Sequence, residues 1–146
     1  MLLHLGTLVF ILNITTKDYS WVDRIWSLLP IGFAAHLLYY QVHCDAVPIS
    51  TRQYVMLGFI LIWGLRLTYN FYRKGGYTGS GEDYRWEYIR KNYPRILVEL
   101  LNFFFTSYYQ LYLIYWFTCP IYYASNPEFG FKDILVSALW ILLFIG

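Results

Sequence analysis

The chain has 146 residues, of which 58% are apolar, 23% aromatic and only 14% charged. An average soluble domain is about one-quarter charged, so this composition argues against a soluble globular domain and favours a membrane protein. The formal net charge is only +2, and basic residues alternate with acidic ones, so nothing in the charge pattern indicates nucleic-acid binding.

Five apolar segments follow one another along the chain, and they cover residues 2–14, 25–42, 54–72, 96–123 and 134–146. A membrane-spanning helix needs about 20 residues. The second, third and fourth segments therefore predict complete transmembrane helices, with a break in the second at Pro30, and the shorter first and fifth predict incomplete ones. The predicted fold is an all-α polytopic membrane helix bundle with about five transmembrane helices, three complete and two short.

The fifth segment stops at the last residue without a polar flank. We therefore expect residues 1–146 to be a single membrane domain that forms the N-terminal part of a larger one. The alternative is that the two short segments are interfacial or re-entrant. The sequence leaves both interpretations open.

Basic residues are unevenly distributed between the two predicted sides. If all five segments cross, one side carries Lys17, Arg24, Arg73, Lys74, Arg85, Arg90, Lys91 and Arg95, and the other carries Arg52 and Lys132. The positive-inside rule then places residues 73–95, here called the charged loop, in the cytosol. Cys44 and Cys119 share the opposite, lumenal face, where a disulfide is possible but two free thiols are the preferred interpretation.

The charged loop contains the pattern of a short helix. Ser80 is a predicted N-cap for a helix over residues 81–92, with Asp83 at capping-box spacing. Glu87 and Lys91 are placed to form an i,i+4 ion pair. The helix has one apolar stripe, which consists of Trp86, Ile89 and Tyr93, and Pro94 ends it. The pattern predicts a short cytosolic interfacial helix on the membrane surface.

Two interpretations of the charged loop remain open. It is either a positive-inside loop that serves topology alone, or a polyanion site in which Arg73, Lys74 and Arg85 hold phosphate groups.

Arg66 lies inside the third apolar segment, where an unpaired arginine is costly. Helical spacing places Arg66, Asn70 and Arg73 on one face, with Tyr69 beside it. Glu99, near the start of the fourth segment, is the expected partner for one of these arginines. The alternatives are that Arg66 extends to the interface or forms a purely structural ion pair.

Three motifs occur in order along the chain: SWVDRIWSLLP (Ser20–Pro30), WGLRLTYNFYRKGGY (Trp63–Tyr77) and GEDYRW (Gly81–Trp86). Together they resemble the N-terminal half of a family of multi-spanning membrane proteins, largely of unassigned function, that is related to steroid 5-alpha-reductases. The resemblance implies an endoplasmic reticulum membrane protein surrounded by membrane lipids. It also implies NADPH-dependent reduction of a carbon–carbon double bond in a lipid or steroid-like enone, with NADPH entering from the cytosol.

The same resemblance assigns candidate roles to residues of this chain. The candidate catalytic residues are Asp23 and Tyr69. The candidate cofactor-binding residues are Arg66, Arg73, Asp83 and Arg85, and Trp26 is a candidate substrate-pocket residue. The polar face of the third segment and its expected partner add Asn70 and Glu99 as further candidate substrate-pocket residues. No metal site is predicted.

Steroid reductases carry a catalytic glutamate in a Glu-Leu-Pro triplet, whereas the corresponding triplet here is Leu28-Leu29-Pro30, so Asp23 is the nearest carboxylate. Two alternative functions remain open. One is a methyltransferase of the same superfamily that uses S-adenosylmethionine, and the other is a non-catalytic membrane protein or fragment. We expect the 146-residue chain alone to be inactive, because the family's C-terminal helices, which supply much of the cofactor pocket in its relatives, are absent.

Overall fold

A computed structural model describes residues 1–78, 82–126 and 128–145 of the chain. Within these ranges the secondary structure is helical and contains no strand, which confirms the all-α prediction. The elements are α1 (Leu2–Thr16), α2 (Trp21–Ile25), α3 (Leu29–His43), α4 (Thr51–Arg73), α5 (Tyr84–Asn92), α6 (Arg95–Leu100), a π-helical segment (Leu101–Tyr109), α7 (Gln110–Thr118), α8 (Pro120–Tyr123) and α9 (Phe131–Ile145).

Each of the five predicted apolar segments corresponds to helix. In the second segment the predicted break is present and lies just before Pro30, because α2 ends at Ile25 and α3 begins at Leu29 with Pro30 in its first turn. Proline is tolerated there since the first N–H groups of a helix have no intrahelical partner. Within the described residues, α4 is the one helix long and apolar enough to cross a membrane, and α1 is apolar but shorter.

The fourth segment forms a continuous helical run in which α6, the π-helical segment and α7 follow one another without a gap. Backbone bonds in a π-helix join residues five apart. In keeping with this spacing, the Ser107 hydroxyl donates to the Asn102 carbonyl oxygen at 2.9 Å. Both residues are buried against α1, where Asn13 Nδ2 donates to Asn102 Oδ1 at 2.6 Å. The π-helical segment therefore turns polar side chains toward the first helix.

Two apolar clusters hold the helices together. The first joins α1, α2, α3 and α7 and contains Val9, Val22, Leu29, Phe33, Leu111 and Ile114. The second joins α3 and α8 and contains Ala34, Leu37, Leu38 and Ile121. By contrast, α9 has no buried residue among those described and touches α4 through side chains, such as the stacked rings of Phe59 and Trp140 at 4.2 Å.

A buried glutamine pair fixes the start of α4. Gln53 is fully buried, and its Nε2 donates to Gln41 Oε1 at 2.6 Å and to the Ile121 carbonyl oxygen at 2.8 Å. Its Oε1 accepts from Gln41 Nε2 at 3.1 Å and from the Ser50 backbone N–H at 2.9 Å. Ser50 and Gln53 thus form a capping box while Gln53 also links α4 to α3 and α8.

The helix predicted in the charged loop is present as α5. Its N-cap is Asp83, whose Oδ1 accepts from the Arg85 backbone N–H at 2.9 Å, and the expected cap Ser80 lies outside the described residues. The Glu87–Lys91 ion pair is confirmed, with 2.6 Å between Nζ and Oε1. The helix ends at Asn92, before Pro94, as predicted. Cys44 and Cys119 are free thiols, which confirms the preferred interpretation.

Candidate functional site

A cleft of about 400 Å³ lies between α4 and α9, and we call it the arginine cleft. Its lining includes Trp63, Arg66, Leu67, Asn70, Trp140 and Phe144. Two of the predicted site residues, Arg66 and Asn70, thus share one cleft, as their helical spacing indicates. Arg73, the third member of the predicted stripe, does not line it; Arg73 is exposed and forms no ion pair with the described residues.

The partner of Arg66 differs from the prediction. Its Nη1 donates to the main-chain carbonyl oxygen of Phe144 in α9, and the guanidinium carbon lies 4.5 Å from the centre of the Phe144 ring. An arginine has five N–H donors, so this bond leaves donors of Arg66 that make no hydrogen bond to the described residues. The arginine cleft therefore presents unused donors beside an apolar wall.

An adjoining cleft of about 340 Å³, here called the aromatic cleft, is lined by Trp26, Pro30, Phe59, Trp63, Phe117 and Trp140, among others. It shares Trp63 and Trp140 with the arginine cleft. The rings of Trp26 and Trp63 are 5.8 Å apart. The two clefts together form an apolar slot with hydrogen-bond donors at one side, the usual chemistry of a small-molecule site.

Tyr69 does not reach either cleft. It is 61% exposed on the surface of α4 and is absent from the lining of both. The one-residue offset from Asn70 turns its side chain about 100° around the helix. The structure therefore does not place Tyr69 with the other predicted site residues.

Three other predicted residues do come together at the end of the bundle that carries the charged loop. Arg85 binds Asp83 through two bonds, 2.9 Å from Nε and 2.5 Å from Nη2 to Oδ2, and the side-chain bonds lower the pKa of Asp83. The pKa of Asp23 is raised, first because burial removes water from its carboxyl and second because of the negative charge of Asp83. The positive charge of Arg85 opposes that shift. Asp23 is thus the carboxyl in this group that retains a proton most readily.

The raised pKa of Asp23 predicts a specific pH dependence of stability. Ionisation of the buried Asp23 carboxyl lowers the stability of the folded protein. This loss of stability is absent below the pKa of Asp23 in the unfolded chain, about 3.9, and is complete above its higher pKa in the folded protein. We expect Asp23→Asn to raise the thermal unfolding midpoint at pH 7 and to lose this advantage near pH 3.5. Thermal unfolding in detergent at both pH values measures this.

Asp83→Asn is the matched control for that prediction. Asn caps a helix about as well as Asp, so this change removes the charge and keeps the cap. Because the pKa of Asp83 is lowered, its carboxylate stabilises the fold at pH 7, and the control variant should be less stable there. Destabilisation by Asp23→Asn at pH 7 would contradict the pKa assignment.

Glu99 also has a different partner from the one predicted. Its Oε1 accepts a hydrogen bond of 2.6 Å from the Tyr19 hydroxyl, and it forms no ion pair with the described residues. Burial, followed by the hydrogen bond to Glu99 and its charge, raises the pKa of Tyr19 to about 12. The prediction that Glu99 pairs with an arginine of α4 is therefore wrong, because α6 faces α1 and the chain after it rather than α4.

Glu99 lines a third cleft of about 560 Å³, which we call the basic cleft. The other lining residues are Ile14, Lys17, Tyr19, Arg90, Arg95 and Val98. Arg90 binds both carboxylate oxygens of Glu82 and lies 5.4 Å from the ring centre of Tyr19. The sequence places Lys17, Arg90 and Arg95 on the same side of the membrane but does not predict that they share a cleft. They meet because the fold brings the end of α1 to the start of α6.

The described residues contain no group of three His, Cys, Asp or Glu side chains placed to hold a metal ion. They define an all-helical protein with one helix suited to a membrane and a row of aromatic and basic clefts.

The chain belongs to the DUF1295 family, described as "Protein of unknown function", whose model matches residues 9–146. It is also similar to an uncharacterized protein of Schizosaccharomyces pombe. The two sequences are 34% identical over an alignment of 146 positions, and this alignment covers 97% of the present chain. The chain spans 42% of the length of that relative. No solved structure matches the chain.

Proposed function

We propose that this chain is part of an integral membrane oxidoreductase that uses NADPH to reduce a carbon–carbon double bond in a lipid or steroid-like enone. The observation that carries the proposal is the aromatic cleft joined to the unused donors of Arg66 and to Asn70. A flat hydrocarbon with a carbonyl at one end matches such a slot in shape and polarity. The resemblance to steroid 5-alpha-reductases points to the same substrate class.

The proposal includes a polytopic membrane bundle with the charged loop in the cytosol, in the endoplasmic reticulum. Exposed apolar side chains support it, since Leu65 of α4 is 58% exposed and Leu143 of α9 is 73% exposed. Soluble proteins rarely present contiguous apolar surfaces of this kind. In the apolar helices α4 and α9, the charged residues other than Arg66 lie near a helix end, which also fits a bilayer.

In the proposed reaction the chain's own residues bind and polarise the substrate. The aromatic cleft holds the ring system and excludes water. Arg66 and Asn70 donate hydrogen bonds to the enone oxygen, where negative charge develops in the transition state. NADPH, when bound, supplies the hydride for the beta carbon of the double bond.

We propose that Asp23 donates the proton that the alpha carbon takes up, which balances the hydride added at the beta carbon. Asp23 lies one helical turn from Trp26, which lines the aromatic cleft, and burial raises its pKa, which favours the protonated form. Asp23 itself lines neither cleft, and Tyr69, which also lines neither, receives no role because its side chain is exposed on the surface of α4.

The residues of the charged loop suit part of a dinucleotide site. Arg73 and Lys74 are exposed cations without an ion pair among the described residues, so both are free to hold phosphate oxygens. Arg85 fits less well, because its guanidinium is already bound to Asp83 by two hydrogen bonds. We therefore assign the phosphate contacts to Arg73 and Lys74 ahead of Arg85.

The test measures NADPH oxidation in membranes that contain the protein, with a steroid-like enone and with its saturated ketone as substrate control. We expect enone-dependent oxidation, and we expect Arg66→Gln to lower it at least about tenfold, since a change of about 1.4 kcal/mol in the barrier has that effect. Lys132→Gln removes a positive charge from an exposed position outside the clefts and should leave the rate unchanged.

Absence of enone-dependent oxidation, or an unchanged rate in Arg66→Gln, would overturn the proposed function. Thermal protection by S-adenosylmethionine and not by NADPH would instead favour the methyltransferase.

A further inference from the structure

Two further cavities lie between α1 and the continuous helical run of α6, the π-helical segment and α7. Neither belongs to the clefts of the proposed reductase site. The basic cleft is formed where α1 ends and α6 begins. An apolar groove of about 870 Å³ lies where α1 begins, against the π-helical segment and the start of α7, and its lining includes Leu2, Leu3, Phe104, Phe105, Tyr108 and Tyr112. One long face of the molecule thus carries a charged cavity at one end and an apolar cavity at the other.

The basic cleft has more positive than negative charge. Arg90 is neutralised by Glu82, and Glu99 is the one carboxylate among the lining residues. Lys17 and Arg95 line the cleft and form no ion pair with the described residues. Uncompensated cations beside an open cleft attract an anion, and a phosphate with several acceptor oxygens fits two such donors.

The lining of the apolar groove suits a hydrocarbon ligand. Leu3 is 73% exposed and Phe105 50% exposed beside it. The one polar atom that Tyr108 brings, its hydroxyl oxygen, already lies 2.9 Å from the hydroxyl oxygen of Thr7. Apart from the hydroxyl groups of Tyr109 and Tyr112, the groove therefore presents rings and methyl groups to an occupant.

The spacing of the two cavities matches a lipid. Leu2 in the groove and Ile14 in the basic cleft are about 18 Å apart along α1, at a rise of 1.5 Å per residue. One leaflet of a bilayer contributes about half of a hydrocarbon core that is about 30 Å thick. An acyl chain whose headgroup lies in the basic cleft therefore reaches the groove.

We propose that this face binds one anionic phospholipid, with its phosphate held by Lys17 and Arg95 and an acyl chain lying along α1 in the apolar groove. The inference rests on the membrane location proposed above but not on the reductase activity. Ile11, exposed between the two cavities, and Ile14, at the basic cleft, provide the apolar path that the chain would follow.

The test adds phosphatidic acid to the protein in neutral detergent micelles, without NADPH or enone, and measures the thermal unfolding midpoint. We expect phosphatidic acid to protect the wild type and phosphatidylcholine to protect it far less. In Lys17→Gln/Arg95→Gln the apparent Kd for phosphatidic acid should rise about 30-fold, because the loss of about 1 kcal/mol for each of the two cations sums to about 2 kcal/mol. Lys91→Gln/Lys132→Gln removes the same number of positive charges from exposed positions outside the cleft and should retain wild-type affinity.

Each remaining outcome counts against the proposal. Equal weakening in the two double variants means that surface charge alone attracts the lipid. Equal protection by inorganic phosphate means that the site binds a free phosphate compound. Equal protection by phosphatidic acid with eight-carbon and sixteen-carbon chains means that the groove takes no part. A failed reductase assay leaves all of these measurements unaffected, because no redox component is present.

Discussion

Replacing Gln53 with Leu is expected to lower the free energy of unfolding by about 3–5 kcal/mol. Leucine has a similar volume but cannot donate or accept hydrogen bonds. The change leaves the Gln41 amide, the Ser50 N–H and the Ile121 carbonyl without their partner, and each buried unsatisfied group costs about 1–3 kcal/mol. Thermal or denaturant unfolding in mild detergent would measure the loss.

Gln110→Leu is the matched control, because Gln110 is half-buried in α7 and its side chain makes no hydrogen bond to the described residues. It should change stability little. The double variant Gln41→Leu/Gln53→Leu should lose less than the sum of the single variants, since fewer partners are left unpaired. An additive double variant, or a Gln53→Leu protein as stable as the wild type, would show that the network does not hold α4 to α3 and α8.

Replacing Gly64 with Ala is expected to destabilise the protein by about 2 kcal/mol. A Cβ atom at this position would lie 2.6 Å from the main-chain carbonyl oxygen of Ser27 and 2.8 Å from the Cδ1 of Ile31. The backbone oxygen cannot rotate away, so α4 must move from the chain that joins α2 to α3. Overpacking of this kind costs about 1–3 kcal/mol.

Gly58→Ala in the same helix is the matched control, because no atom lies within 4 Å of the Cβ it would add. Alanine favours a helix over glycine by about 1 kcal/mol, so this variant should be as stable as the wild type or more so. The measurement is the difference between the two unfolding midpoints in one detergent. Equal midpoints would mean that Gly64 does not pack closely against Ser27 and Ile31 in solution.

Local features of the fold follow from the sequence because local chemistry decides them. Apolar runs specify the helices, and the spacing of Glu87 and Lys91 specifies their ion pair. Helical periodicity places Arg66 and Asn70 in one cleft. The same periodicity separates Tyr69 from them, although the sequence-based assignment grouped all three.

The sequence does not predict the features that depend on which helices pack together. Glu99 was assigned to an arginine because opposite charges attract, but its helix lies against Tyr19 rather than against α4. The basic cleft combines Lys17 with Arg95, and no spacing rule relates residues so far apart. The sequence also does not predict the π-helical segment, because its composition resembles that of an ordinary apolar α-helix.

The contacts of α1 have a consequence for the order in which the chain folds. Its hydrogen bonds from Asn13 to Asn102 and between Thr7 and Tyr108 span sequence separations of 89 and 101 residues, and the bond from Tyr19 to Glu99, just beyond its end, spans 80. The pairing of α3 with α4 is far more local, as the 12-residue separation of Gln41 and Gln53 illustrates. Contacts of long separation require the closure of a long loop and form slowly. During synthesis the contacts of α1 with the fourth apolar segment therefore form later than the pairing of α3 with α4, and Asn13 has no Asn102 partner until that segment has been made.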